Sequence, residues 1–320
     1  MSGYLQGRAA HIDHHLSNVA INYRPSGFIA DRILPVVPVP KQSDTYVIFE
    51  QADLFRREKT ARSRGAEANK IHARVSSAGF FCNNFALKAD VTIEDRANAD
   101  PVFVRQFEEG RVMRLQDALF LDWEIRVASQ ICSASNVGSS TAVGSAWTDY
   151  QNSDPLGDIW TAVDNVEVAT GYRPNHILFA GAAWRNFRRH STVIDKATAA
   201  SVSGGGQYPS AAQIEDLLEM TVLVGNDWQN AAAEGQAINL QQVWGDHAIV
   251  YYAPEQPSLE APSFGYYFRW SAPDVPNMQV ERHPYDTRRH CSEVEIGYYQ
   301  DELITSKPLG FLISNVTSSS

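Results

Sequence analysis

The spacing of apolar residues changes several times along the chain, and each change predicts a different element. Residues 1–38 show no sustained helical period. Pro25, Pro35, Pro38 and Pro40, with Gly27, punctuate this stretch. Proline keeps the residue before it out of the α region, so ILPVVPVPK is expected to run extended. The segment reads as an arm without a core of its own. Residues 41–90 hold two β-type runs, 45–49 and 79–87, on either side of the polar stretch LFRREKTARSRGAEANK. That pattern predicts a long hairpin. A connection of this length in a compact domain is usually functional or disordered.

Asp100-Pro101 supplies a capping residue and a first helical position for the clearest helix. Val104, Phe107, Val112, Leu115, Leu119, Trp123 and Val127 then recur at helical spacings, with charges on the other faces. A run to Cys132 would be roughly 48 Å long at 1.5 Å per residue, with Gly110 its weak point. Phe107, Leu115, Leu119 and Trp123 share a stripe, and that stripe is expected to face strands within residues 280–313. A small-residue linker over 133–145 follows. Beyond it helices and strands alternate. Helices are predicted at 158–170, 182–190 and 211–219, and strands at 176–179, 221–224 and 242–252, the last with a turn at Gly245. Gly171 reads as a helix C-cap. From residue 264 the pattern is β again, with strands at 264–270, 280–285, 291–299 and 309–314. No internal repeat is visible. The fold class is α+β.

The 320 residues are 44% hydrophobic and 20% charged, which fits one large globular domain or two moderate ones. The first residues lack an apolar core of the signal-peptide type, and no apolar run is long enough to span a bilayer. A cytosol-like compartment is therefore expected. Three distant cysteines, Cys82, Cys132 and Cys291, make neither a disulfide framework nor a zinc site. The net charge of −10 argues against tight nucleic-acid binding. It is unevenly spread: residues 1–90 carry +4 and the remainder −14. The densest basic run is Arg56, Arg57, Lys59, Arg62 and Arg64. Nucleic-acid contact, a solvated loop and an inter-subunit contact are all open to it, and the interspersed Glu58 and Glu67 favour the last two.

Catalytic chemistry is hard to find. His11, His14 and His15 resemble metal ligands only superficially, because no carboxylate pair frames them. His247 reads as a packing or surface histidine. Gly204, Gly205 and Gly206 lack the lysine and the preceding strand of a phosphate loop. No nucleophile elbow, metalloprotease or dinucleotide motif occurs. No catalytic, cofactor-binding or metal residue is therefore named, and no cofactor is expected.

Three stretches together resemble the tailed-phage major capsid family with the Hong Kong 97 shell fold. They are LSNVAINYRPSGFIADRILPVVPVPKQSDTYVIF, DIWTAVDNVEVATGYRPNHILFAGAAWRNFRRHSTVID, and the pair LVGNDWQN…QQVWGDHAIVYYAP with PSFGYYFRW…EVEIGYYQDELITSKPLGFLISN. Their order and spacing carry the likeness, which covers nearly the whole chain. The resemblance implies an N-terminal arm (1–40), an extended loop lying over a neighbour (41–90), and a peripheral domain with a spine helix (91–149). It further implies an axial domain (150–262) and peripheral return strands (263–320). The implied partners are further copies of the chain as pentamers and hexamers, with portal, scaffold and decoration proteins. The shell would enclose DNA without sequence-specific binding and without a membrane, and would assemble in the host bacterial cytoplasm. Some members crosslink through a lysine of the extended loop; Lys59 and Lys70 match by position only. An encapsulin-type compartment, a tail-tube subunit and an α/β enzyme built on 150–262 are the competing readings.

Overall fold

The computed structural model describes residues 11–23, 27–49, 60–65, 67, 75–98, 104–200, 208–258, 261–272 and 277–317. The N-terminal part contains β1 (His11–Ile12), α1 (His14–Asn22), α2 (Ala30–Ile33) and β2 (Val36–Val39). The hairpin β3 (Ser43–Phe49) and β4 (Val75–Phe81) leads into β5 (Asn83–Thr92). Next come α3 (Ile93–Asn98), the long α4 (Val104–Ile131) and β6 (Ser139–Ala142). The following stretch holds α5 (Pro155–Thr170), β7 (His176–Ala180), α6 (Gly181–Arg189), α7 (Ser191–Ala200), α8 (Ala211–Leu218) and β8 (Thr221–Gly225). β9 (Trp228–Asn230), β10 (Leu240–Gln242) and β11 (Ala248–Tyr251) follow, then β12 (Gly265–Trp270), β13 (Asn277–Arg282), β14 (Cys291–Ile304) and β15 (Gly310–Ser314).

Two sheets organise these elements. β14 is the axis of the first. Gln300 pairs with Asn83 of β5 and Arg269 of β12, while Ile296 pairs with Leu87 of β5 and Val280 of β13. β12 and β13 therefore share the edge of β14 opposite β5. β2 lines β12 in parallel, and β1 lines β13 antiparallel. Because facing residues of an antiparallel pair share a face, Phe85, Leu87, Val294, Ile296 and Tyr298 lie on one side. That side receives α4. Helix and strand match in reach: 28 residues at 1.5 Å and 14 at about 3.3 Å both give roughly 40–46 Å.

The second sheet has the order β6-β15-β11-β7-β8. β7 and β11 are buried along nearly their whole length, so their runs are apolar rather than alternating. α5 packs on β15 and β11, and α6 packs on β7 and β8. α5 starts as its sequence dictates, with Asp154 accepting the Gly157 N–H and Pro155 in the first turn, and ends at Gly171 with φ 73°. α8 opens with a capping box between Ser210 and Gln213.

Several sequence expectations need correction. The arm is not extended throughout, since residues 14–22 are helical. Asp13 caps them by accepting the N–H groups of His15 and Leu16. Leu16 and Ala20, four apart, find a surface to bury against. The predicted run 79–87 is two strands parted at Cys82. Residues 139–142 of the linker form β6, and residues 191–200 form a helix the pattern did not signal. The strand at 309–314 does not join the sheet of residues 280–304. Pro308 and the 3-10 turn Lys307–Leu309 end the first sheet's path, and β15 pairs with β11 instead.

Candidate functional site

Among the described residues the distinctive geometry lies in the seams joining long elements of distant sequence. The first seam is α4 on the β14 sheet. Leu119 is 3% exposed and packs in a cluster with Val112, Val91, Val280, Val294, Ile296 and Tyr298. Leu16 and Ala20 of α1 close the same cluster, and Leu115 lies partly buried against it. Trp123, also buried, meets Tyr267 edge-on at 5.3 Å and Tyr298 at 5.9 Å, in the larger core shared with the second sheet. Phe107 belongs to α4, but its side chain lies outside the described residues. One polar contact fixes the register. Arg126 donates to Glu302 at 2.9 Å and to the Tyr298 hydroxyl at 3.1 Å, and its guanidinium sits 3.7 Å over the Phe85 ring. Asp122 pairs with the same arginine.

The second seam is the N-terminal segment. Arg282 of β13 bridges Asp13 at 3.1 Å and Glu108 of α4 at 2.8 Å. His15 contacts Glu109 at 2.7 Å. Gln116 donates to the carbonyls of Ala20 and Tyr23. Burial alone would raise the Asp13 carboxyl, yet the Leu16 N–H and Arg282 outweigh it and hold the group below its ordinary value. About two helix turns beyond Gln116, Glu124 is fully buried. It accepts from Ala30 N at 2.7 Å, Ile29 N at 3.1 Å and the Trp244 indole at 2.6 Å.

The third seam anchors the hairpin. Phe80 stacks on Phe268 at 4.8 Å, and Tyr46 approaches the same ring at 5.3 Å. The Phe81 N–H donates to Asp301. Cys82 is buried beneath, and burial pushes its thiol up to about 11, so it is a packing group rather than a nucleophile. Of the basic run, Arg62 and Arg64 are exposed. Arg56, Arg57 and Lys59, like Lys70, lie outside the described residues. Elsewhere a cleft of about 750 Å³ is lined by Asp31, Glu215, Asp216, Glu219 and Glu255, beside Arg32.

Among the described residues no group of three or more His, Cys, Asp or Glu is placed to hold a metal. Ser153 and His190 are hydrogen-bonded at 3.2 Å, a pairing that resembles a nucleophile and its base. The serine hydroxyl donates to the Asp149 carbonyl, the other imidazole nitrogen meets Thr192, and both residues are buried. With no carboxylate orienting the imidazole, the pair acts as packing. Burial holds that imidazole below its ordinary value. Sequence reasoning missed Glu124 and Arg126. Both stand in the charged background of α4, although Glu124 falls on the apolar stripe, four residues after Phe120 and three before Val127.

No family model matches the chain. Two phage proteins, both named major capsid protein, are similar in sequence. That of Pseudomonas phage JBD67 is 27% identical, covering 96% of this chain and 97% of the relative. That of Burkholderia phage BcepMu is 25% identical, covering 84% and 87%. Among solved structures, a phage-related protein from Bordetella bronchiseptica RB50 superposes with TM-score 0.70 at 20% identity, covering 97% of this chain and 98% of that one. The capsid structure of the Cyanophage P-SCSP1u gives 0.56 at 10% identity, covering 98% and 92%. Over nearly its whole length the chain is thus similar in sequence to phage major capsid proteins, and it has a fold shared with phage capsids.

Proposed function

We propose that this chain builds a closed icosahedral shell, as pentamers and hexamers, around double-stranded DNA. The observation that carries the reading is the sequence relation to phage major capsid proteins over almost the full length of both partners. Its role is structural rather than catalytic: the conspicuous contacts tie long elements together and none converges on a reacting atom. In this reading residues 1–40 and 41–90 reach neighbouring subunits. Residues 91–149 and 263–304 form the peripheral domain, and 150–262 with β15 form the axial domain. The basic tip over Arg56–Arg64 meets an acidic surface of the next subunit, for which the cleft at Asp31, Glu215, Asp216 and Glu219 has the matching charge. The shell encloses DNA by closure rather than by a basic lining, in line with the net charge of −10. Assembly in the host cytoplasm, with portal, scaffold and decoration proteins, belongs to the same reading.

Electron microscopy and nucleic-acid analysis of the expressed full-length protein and of virions test it. Closed icosahedral particles that carry double-stranded DNA in the virion are expected. Particles filled with an enzyme instead would favour a compartment shell, and open tubes would favour a tail-tube subunit.

A further inference from the structure

Charge is sorted along the middle of this chain. Residues 127–167 hold five acids, Asp149, Asp154, Asp158, Asp164 and Glu167, and no lysine or arginine. Residues 168–194 hold four arginines, Arg173, Arg185, Arg188 and Arg189, and no acid. Three of the acids are used locally. Asp149 accepts the Gln151 N–H, Asp154 caps α5 at Gly157, and Asp158 accepts the Trp147 indole N–H at 2.9 Å. Asp164 and Glu167 are exposed on the outer face of α5, and among the described residues neither carboxylate has an ion pair or a hydrogen bond. Glu167 stands in the last turn of α5, where the helix dipole disfavours an anion. Val168 beside it is 89% exposed, the most exposed large apolar residue among those described. A groove of about 250 Å³ borders the same helix, lined by Asn165, Ala169, Ser139, Pro308 and Phe311.

The arginines show the converse. Arg173 pairs with Glu219, and Arg188 is turned onto the Trp184 ring and the Pro209 carbonyl. Arg185 and Arg189 are exposed on α6, and among the described residues their guanidinium groups meet no carboxylate. Arg185 finds only a neutral acceptor, the Gln242 side-chain oxygen at 3.3 Å. The two helices lie toward opposite edges of the second sheet. α5 packs on β15 and β11, on the side of edge strand β6, whereas α6 packs on β7 and the other edge strand, β8. Four strand spacings of about 4.8 Å put those edges roughly 19 Å apart. Within one subunit the acids of α5 and the arginines of α6 therefore stay unmatched.

We propose that α6 of one subunit docks on α5 of the next copy, with Arg185 and Arg189 meeting Asp164 and Glu167 around Val168. The occupant is a second copy because one chain carries both complementary faces. A twofold contact of either face with itself would set arginine against arginine or carboxylate against carboxylate. Like charges across an interface oppose association, so the contact runs head to tail. Faces on opposite edges of one sheet suit that arrangement, which closes into a ring when the rotation between copies fits. Val168 supplies the apolar centre that loses water, and the charges around it set the register. The inference rests on the self-assembly reading given above and names the contact between its axial segments.

The test is assembly of the full-length protein, read by sedimentation and electron microscopy at about 0.1 M salt, where charges act over about 10 Å. Arg185→Glu with Arg189→Glu makes both faces acidic. Asp164→Arg with Glu167→Arg makes both basic. Either double variant should lose about tenfold or more of its assembled material, because every contact in the ring is then repulsive. Its subunit should unfold like wild type, since the changed residues are exposed. The quadruple variant exchanges the two faces and should assemble again. A mixture of the two double variants should form even-membered rings, in which acidic and basic copies alternate, and no five-membered ones. A double variant that assembles like wild type overturns the proposal, as does a folded quadruple variant that stays apart. Wild type that builds tubes or open rings defeats the shell reading but not this contact, provided the double variants dissociate and the quadruple variant reassembles. Wild type that stays monomeric overturns the contact itself.

Discussion

Leu119→Ala probes the seam on which both halves of the chain depend. Leu119 is 3% exposed, and its neighbours come from the N-terminal helix (Leu16, Ala20), from β5 (Val91) and from the late strands (Val280, Val294, Ile296). The substitution removes three buried carbons, about 0.8 kcal/mol each in transfer, so about 2.4 kcal/mol before any cavity term. Three sides of the site belong to rigid elements, a sheet face and the helix itself, so collapse around the void is limited. A total near 3–4 kcal/mol follows, within the range of about 2–5 kcal/mol for such truncations. For a chain of 320 residues that corresponds to a drop in melting temperature of roughly 4–6 °C. Urea unfolding of the purified subunit measures the first number, and particle yield by sedimentation reads the effect on assembly. Leu87→Ala is the control. Leu87 sits on the same sheet face opposite Ile296 but is 39% exposed, and its loss should cost under about 1.5 kcal/mol. If Leu119→Ala and Leu87→Ala destabilise equally, the helix does not bear on the sheet at Leu119, and the reasoning fails.

Other consequences of the seams are equally open to measurement. Asp13→Ala removes a helix cap and one arm of the Arg282 bridge and should cost about 1–2 kcal/mol, read as increased amide exchange confined to residues 14–22. Because the Asp13 carboxyl is held below its ordinary 3.8, its contribution is present above that value and is lost as the pH falls through the lower, folded-state value. The wild-type strap should therefore loosen below about pH 4, and the Asp13→Ala variant should lack that acid step. Glu302→Ala leaves Arg126 without its buried acceptor and should cost about 2–4 kcal/mol, measured by urea unfolding, whereas Glu302→Gln, which keeps an acceptor, should cost less than half of that. Charge reversal at Arg56, Arg57 and Arg62 should lower particle yield or particle melting temperature while leaving the isolated subunit's unfolding unchanged. Each exposed pair contributes only about 0.2–1 kcal/mol, so the effect appears through repetition in the assembly. Unaltered particles would remove the basic tip from the interface.

Local chemistry was readable wherever a short-range signal decides the outcome. The cap at Asp154 and Pro155, the left-handed stop at Gly171 and the stripe through Leu119 and Trp123 depend on residues a few positions apart. The sequence of 320 residues accordingly settled that a long helix precedes an alternating α/β stretch and that strands close the chain. The order of parts also sufficed to suggest the family. Tertiary structure decided the rest. Helix α1 is only nine residues long, marginal by itself, and exists because Leu16 and Ala20 find β13 and α4 to bury against. β14 and β15 look alike in sequence, yet a proline and one 3-10 turn send them to different sheets, and sheet membership is a matter of non-local pairing. Glu124 reads as one more charge on a charged helix. Only the convergence of Ile29, Ala30 and Trp244, drawn from positions about a hundred residues away on either side, makes it a buried, hydrogen-bonded carboxyl. Spacing along the chain reports which face a side chain occupies; what covers that face, and hence whether a carboxyl meets water or buried N–H donors, is fixed only when distant segments pack.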